Sequence, residues 1–401
     1  MSTHRPEVAD VIRKWGPRYE EVYGGSTQQR RILHDLSRCR TQALGGHKKK
    51  CDHCGHEVIV YNSCRNRHCP KCQGASRAQW LEEQERDLLP VPYFHVVFTL
   101  PDAIGPLALQ NKRLVYGLLF QATFETLRTI ARDPRHLGAE IGGLAVLHTW
   151  GQNLHHHPHV HCVIPGGGLS SDGRRWVACR PDFFLPVRVL SQRFRHRFLD
   201  LLQQARDAGK LSFRGCIAPL AQSDHWTPWL LALRSRDWVV YAKPPFGGPR
   251  QVLKYLARYT HRVAISNQRL LSIENDQVTF LWKDYARNNR QCTMSLDGIE
   301  FLRRFLLHAL PPGFQRLRHF GFLANRVRVE KLRLCRELLA DSRETATSVD
   351  SSSSASADSD TDSLAPDDLC PQCKIGHMRT VERIEPGSDP ELVSIQALDT
   401  S

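Results

Sequence analysis

His159-Val160-His161-Cys162-Val163-Ile164, entered from His155-His156-His157-Pro158 and closed by Pro165-Gly166-Gly167-Gly168, is the stretch on which the fold turns. In a strand, residues two apart face the same side. His159 and His161 therefore point together, while Val160 points into the opposite, packed face. The preceding run, Gly143-Leu144-Ala145-Val146-Leu147-His148-Thr149-Trp150, reads as a second strand, joined to the first by a short polar connection. Two imidazoles and a third ligand can hold a divalent ion with positions left open for a phosphate oxygen. His155, His156 and His157 read as a solvated histidine-rich loop.

Working outward, residues 93–100 form a buried strand stopped by Pro101, and residues 238–241 a further strand candidate. Residues 270–274 and 277–282 read as a hairpin around Asn275-Asp276. Helical spacing covers residues 1–50 with a Gly24-Gly25-Ser26 break, then 77–89, 106–132, 185–208, 251–263, 296–309 and 325–340. Residues 341–369, with Ser351-Ser352-Ser353-Ser354 among Ala, Asp and Thr, have too few apolar groups to offset ordering entropy and read as a flexible acidic linker. Strands and helices are mixed along the chain, an α+β pattern. The organisation expected is a helical and zinc-binding module over 1–80, a larger domain over 81–340, the linker at 341–369 and a tail at 370–401.

The predicted helix at 251–263 carries Tyr255 and Tyr259, four apart and on one face. Lys254, Arg258 and Arg262 form an adjacent basic stripe. A tyrosine hydroxyl can attack a phosphodiester when a metal polarises the phosphate. Aromatic residues at this spacing also serve packing.

Cysteines are the next signal. Cys51-x2-Cys54 and Cys69-x2-Cys72 are separated by fourteen residues. Each pair places two thiolates on one side of a tight turn, and two such turns close a tetrahedron around zinc. Cys64, His53, His56 and His68 are spare donors, and the ligand set stays open among them. Lys48, Lys49, Lys50, Arg65, Arg67 and Lys71 are interleaved, which makes the segment a DNA-contact surface. Cys370 and Cys373 form only half a site.

The chain has 401 residues and a formal net charge of +14. Residues 341–401 hold 4 basic and 13 acidic residues, net −9, so residues 1–340 carry +23. A body this basic calls for a polyanionic partner, with nucleic acid foremost. No apolar run reaches the eighteen or so residues of a membrane span, and Met1-Ser2-Thr3-His4 leads into no apolar signal segment. The expectation is a cytoplasmic protein, at the nucleoid when bound to DNA.

Several strings taken together resemble the two-tyrosine HUH transposases of rolling-circle bacterial insertion sequences, where HUH denotes His, hydrophobic, His. They are Asn62-Ser63-Cys64-Arg65-Asn66-Arg67-His68-Cys69-Pro70-Lys71-Cys72, His148-Thr149-Trp150-Gly151-Gln152-Asn153-Leu154, His157-Pro158-His159-Val160-His161, Gly166-Gly167-Gly168-Leu169 and Tyr255-x3-Tyr259-Thr260-His261-Arg262. The resemblance spans roughly residues 5–340. It implies an antiparallel-sheet HUH nuclease domain with His159 and His161 on a central strand. It also implies Mg²⁺ or Mn²⁺ at those histidines and structural Zn²⁺ at Cys51, Cys54, Cys69 and Cys72. Tyr255 or Tyr259 would attack single-stranded DNA at the element ends, giving a 5′-phosphotyrosine. Lys254, Arg258, Arg262, Arg65 and Arg67 would contact DNA. The family's third metal ligand is expected first at Gln152, ahead of His148 and His261. No nucleoside triphosphate is required, in keeping with the lack of a G-x-x-x-x-G-K-[ST] loop, so a helicase would come from the host replication machinery.

Two other readings share these features. A plasmid replication initiator or relaxase uses the same chemistry, and a zinc-dependent DNA-binding regulator would keep the cysteines without cleavage.

Overall fold

In a computed structural model the described residues are 5–243, 264–284, 287, 290–344 and 369–387. Two helices open the chain, α1 (Val8–Tyr23) and α2 (Thr27–Ser37). At α2, Ser26 Oγ accepts from the Gln29 amide while Gln29 Oε1 accepts from the Ser26 amide, a capping box worth about 1 kcal/mol. A hairpin follows, β1 (Gly46–Cys51) and β2 (Glu57–Tyr61), then α3 (Gln73–Arg86). The helical reading of the sequence runs to residue 50, whereas the structure has strand from Gly46. The run Lys48-Lys49-Lys50 offers no apolar helical stripe, and cross-strand pairing decides the matter: Lys48 faces Ile59 and Lys50 faces Glu57.

The central sheet is built from strands far apart in sequence. After β3 (Tyr93–Thr99) come α4 (Gly105–Gln110) and α5 (Lys112–Arg132), the short β4 (Ala139–Glu140), β5 (Gly142–Trp150) and β6 (His156–Pro165). Next are β7 (Gly167–Ser170), β8 (Trp176–Ala178), α6 (Val187–Asp207), α7 (Ser223–Arg234) and β9 (Val240–Lys243). A three-stranded meander follows: β10 (Leu270–Glu274), β11 (Gln277–Asp284) and β12 (Arg290–Asp297). The chain continues through α8 (Gly298–Leu307), β13 (Leu317–Gly321), α9 (Arg328–Glu344) and, in the tail, β14 (Met378–Ile384).

The main sheet has the order β13-β5-β6-β3-β9, and each neighbouring pair is antiparallel. The expected antiparallel sheet is therefore present, with β6 at its centre. Alternation sorts its two faces. Phe94, Val96, Phe98, Ala145, Leu147, Val160, Cys162 and Ile164 bury against α5 and α6, where Phe120, Phe194 and Phe198 complete the core. The opposite face carries His95, His148, His159 and His161.

A second core joins α1 and α2 to the meander and α8. Val11, Ile12, Trp15, Ile32 and Leu36 pack with Val278, Phe280, Phe301 and Phe305, and the cluster also holds Trp150 and Leu154. The hairpin at Asn275-Asp276 has both φ values positive, 48° and 58°, as a type I′ turn demands. Asp297 caps α8 by accepting from the amides of Ile299 and Glu300. At the other end of α8, Lys112 Nζ donates to the carbonyls of Leu307 and Ala309, both at 2.8 Å, which ties α5 to this second core.

Gly298 is where α1 meets α8. A Cβ there would lie 2.3 Å from Trp15 Cδ2 and Cε2, inside the indole. Gly298→Ala should therefore cost about 1–3 kcal/mol by overpacking, read as a lowered denaturant midpoint. Gly117→Ala, in α5 with open space around it, should be neutral or stabilising by up to about 1 kcal/mol.

Candidate metal centres and nucleic-acid site

The β5–β6 register sets His148 directly opposite His159, and Val146 opposite His161. His148, His159 and His161 thus share one face, and one ring nitrogen of each lies within 4.8 Å of the others. His148 and His161 are buried, and His159 is partly exposed. The ring centroids stand 4.2 Å apart for His148 and His161, 4.8 Å for His159 and His161, and 5.3 Å for His148 and His159.

Neighbours orient these rings. His159 Nδ1 donates to the His157 carbonyl at 2.6 Å, which leaves Nε2 as its lone-pair nitrogen. His161 Nδ1 hydrogen-bonds His95 Nε2 at 2.7 Å, with the two rings parallel to within 2°. Burial lowers the pKa of His159 to about 3 and of His95 to about 4, and holds His161 well below the usual imidazole value. Neutral imidazole is the metal-binding form, so the donor set suits a divalent cation.

Gln152 lies in the turn beyond β5, where its carbonyl accepts from Arg269. The third imidazole of the group is His148, already paired with His159 across the ladder. The neighbouring histidines are not a solvated loop throughout. His156 Nε2 meets Tyr116 Oη at 2.8 Å, and burial lowers its pKa to about 3. His157 faces Asp102 at 3.3 Å, while His155 is exposed. Beside them a cleft of about 520 Å³ is bounded by His155, His157, Asn153, Arg303 and Arg304.

The cysteines form two quartets, and neither is the expected one. Cys39, Cys64, Cys69 and Cys72 converge, with sulfurs 3.4 Å apart for Cys39 and Cys72, and 3.5 Å for both Cys64–Cys72 and Cys39–Cys69. Cys51 and Cys54 instead meet Cys370 and Cys373. A Cys-x2-Cys turn fixes two corners of a tetrahedron, and the chain's tertiary path selects the other two. Here the turn at Cys69 and Cys72 is completed by Cys39 after α2 and Cys64 after β2. With Zn–S near 2.3 Å, the edge of a sulfur tetrahedron is about 3.8 Å, close to the spacing in the first quartet. Hydrogen bonds within the quartet lower the pKa of Cys39 and Cys72 and raise that of Cys64 and Cys69, the partner with the largest effect being Cys64 for Cys39 and Cys39 for the other three.

Of the basic residues expected on DNA, Arg67 is turned inward. Its guanidinium donates to the carbonyls of Phe314, Leu310 and Pro311, at 2.8, 3.3 and 2.9 Å. Burial lowers its pKa. It tethers the cysteine segment to the loop after α8. Arg65 is exposed. Tyr255, Tyr259, Lys254, Arg258, Arg262 and His261 lie outside the described residues. The flanks of that segment are described. β9 ends at Lys243, which pairs with His95, and the chain returns at Ala264, buried in the same cluster as Trp150 and Leu154. Trp150 stacks on His148 at 4.8 Å. No helix among the described residues is long and apolar enough to cross a membrane.

A family model described as a putative transposase matches residues 142–331, and one described as a transposase zinc-binding domain matches residues 11–100. Putative transposase y4qJ of Sinorhizobium fredii is 55% identical over 383 residues, 95% of this chain and 96% of that protein. The transposase for insertion sequence element IS801 of Pseudomonas savastanoi pv. phaseolicola is 30% identical over 296 residues, 72% of this chain and 68% of that protein. A metal-bound structure of the conjugative relaxase TrwC in complex with oriT DNA is 14% identical, with 42% of this chain and 71% of that chain covered at a TM-score of 0.24.

Buried His308 makes the pH dependence of this region testable. Its Nε2 bonds the Leu154 carbonyl at 3.1 Å, its Nδ1 meets Thr149 Oγ1 at 3.3 Å, and burial lowers its pKa to about 3. The unfolded chain titrates near 6.5, so the unfolded state binds the extra proton between these values. This contribution is complete above pH 6.5 and is lost as pH falls towards 3, at up to about 1.4 kcal/mol per pH unit. Denaturant midpoints at pH 7.5, 6 and 5 should fall in that order, and His308→Asn should flatten the slope by about one proton.

Proposed function

The chain belongs to the transposase family that includes the transposase of insertion sequence element IS801, and we propose that it nicks and rejoins single-stranded DNA at element ends through a tyrosine-linked intermediate. The observation that carries this reading is the convergence of His148, His159 and His161 on one face of the central sheet. We assign His148 as the third ligand in place of Gln152. A bound Mn²⁺ or Mg²⁺ would polarise the scissile phosphate and offset the charge that gathers on it. An all-imidazole set is softer than Mg²⁺ prefers, which favours Mn²⁺ of the two.

The chain's own residues supply the rest. His95 and the His157 carbonyl hold the rings of His161 and His159 in place. Tyr255 and Tyr259 belong to a segment whose two described flanks, Lys243 beside His95 and Ala264 in the cluster of Trp150, lie near the histidine face. A tyrosine oxygen attacks phosphorus, and the bond to the 3′ oxygen breaks. The 3′ oxygen takes up a proton, the phenol proton passes to solvent, and a 5′-phosphotyrosine remains. Attack by another 3′-OH reverses the step and transfers the strand. The phosphodiester energy is kept in the tyrosine ester, so no nucleoside triphosphate is consumed. With two tyrosines, one chain can hold a donor end and serve a second cleavage. Lys254, Arg258, Arg262 and exposed Arg65 are assigned to the DNA backbone, and Arg67 is withdrawn from that set. We assign the structural zinc of the matched domain to Cys39, Cys64, Cys69 and Cys72. Host helicase would provide the single strand.

Labelled single-stranded DNA carrying an element end should give a covalent protein adduct that depends on Mn²⁺ or Mg²⁺. His159→Ala and His161→Ala should abolish it. The double change Tyr255→Phe with Tyr259→Phe should do the same while DNA affinity stays near wild type. His95→Phe should weaken metal affinity about 10–100-fold, as loss of an outer-sphere partner does. A normal adduct yield in the double Phe variant would remove both tyrosines from the reaction, and DNA binding without any adduct would return the chain to the regulator reading.

A further inference from the structure

We propose that Cys51, Cys54, Cys370 and Cys373 form a second tetrathiolate zinc site, which clasps the C-terminal segment onto the N-terminal hairpin. The matched zinc-binding domain ends at residue 100, and half of this quartet lies far beyond it. Cys51 and Cys373 are 322 residues apart in sequence with sulfurs 3.7 Å apart, and Cys54 and Cys370 are 316 residues apart with sulfurs 3.6 Å apart. One sulfur of each of the four lies within 4.8 Å of the others. A disulfide needs about 2.0 Å, whereas a zinc tetrahedron with Zn–S near 2.3 Å has an edge of about 3.8 Å. The spacing is that of the tetrahedron.

The two turns have the local form of metal knuckles. The amides of His53 and Cys54 donate to Cys51 Sγ, each at 3.4 Å, and the amide of Gly376 donates to Cys373 Sγ at 3.4 Å. The turns also fit each other closely. A Cβ at Gly376 would lie 2.5 Å from His53 Cβ and 2.6 Å from Cys51 Sγ, so only glycine admits the approach.

The backbone around the quartet is built to meet it. β14 pairs antiparallel with β1, from Cys51 opposite Met378 to Gly46 opposite Ile384, and makes β1 the central strand of the order β14-β1-β2. Asp52 joins the turns at their mouth: its Oδ1 accepts from the His377 amide at 2.8 Å and its Oδ2 from Arg379 Nε at 3.1 Å. Without β14 the sheet would be a two-stranded hairpin, which is marginal in water. Among the described residues a small apolar cluster supports it, Cys51, Cys370 and Met378 with Val58 and Cys373. A cluster this size leaves the ion to supply much of the folding energy, as in other small zinc folds. Four protein ligands leave no open position, so the site is structural. The tail is then a third strand of the N-terminal sheet.

The site is independent of the cleavage reaction, and the test uses the full chain. Elemental analysis should give two zinc ions per wild-type chain and one in Cys370→Ser with Cys373→Ser. A measurement on wild type alone guards against misfolding of that variant. Iodoacetamide labelling mapped by peptide mass spectrometry should leave Cys54, Cys370 and Cys373 protected until a chelator is added, although Cys54 is exposed to solvent. Cys39, Cys64, Cys69 and Cys72 serve as the internal reference. One zinc in wild type, unchanged in the double variant, or immediate labelling of Cys54, Cys370 and Cys373 in zinc-loaded protein, would overturn the clasp and leave the first quartet standing.

Discussion

The pairing of β5 with β6 is the constraint on which the molecule depends. His148 opposite His159 is a matter of register, and a slip of one residue would turn every side chain of one strand to the other face. Two cores hold the register. On one face Ala145, Leu147, Val160, Cys162 and Ile164 are buried against α5 and α6. At the open end Trp150 and Leu154 are anchored in the second core. The turn between the strands is itself fixed. Leu154 sits at a φ of 63°, its amide donates to the Gly151 carbonyl, and the Gly151 amide donates to the His155 carbonyl. The irregularity between His148 and Trp150 lets Trp150 face His156 without displacing the histidine pair. The histidine face is therefore imposed by apolar packing behind and beside it.

This explains what the sequence makes legible. Alternation is local, so His159 and His161 on one face, Val160 on the other, and the strand at 143–150 can all be read directly. The hairpin at Asn275-Asp276 is legible for the same reason, since its turn chemistry lies within the turn. What cannot be read is partnership across the chain. In the sequence Gln152 ranks ahead of His148 as a third ligand, and it is the ladder that places His148 opposite His159. Arg67 looks like a DNA contact because charge is visible in a sequence and the carbonyls of Leu310, Pro311 and Phe314 that engage it are not.

The cysteines show the same limit more sharply. Two Cys-x2-Cys turns close together in sequence invite the inference that they share one ion. In the fold each takes its partners elsewhere, Cys69 and Cys72 from Cys39 and Cys64, Cys51 and Cys54 from the tail. A knuckle is specified by a few residues, a quartet by the whole path between its halves. In the sequence Cys370-x2-Cys373 reads as half a site, and the cysteines it meets, Cys51 and Cys54, lie more than 300 residues away.

The two quartets are embedded differently, and that assigns them different work. Cys39 and Cys69 belong to the second core, with Cys64 and Cys72 packed against it. The same core holds Trp150, which stacks on His148, and Leu154, whose carbonyl bonds His308. Packed side chains thus connect the first quartet to the turn that fixes the histidine face. Arg67, two residues before Cys69, adds a polar tether from the same segment to the loop after α8. The second quartet is surrounded by a separate small cluster on the hairpin and tail, with its polar ties running between Asp52, His377 and Arg379. Its ion holds the tail in the N-terminal sheet and contributes to no core shared with the histidines. The first quartet is therefore packed into the core that supports the histidine face, and the second fastens the C-terminal segment to the N-terminal hairpin.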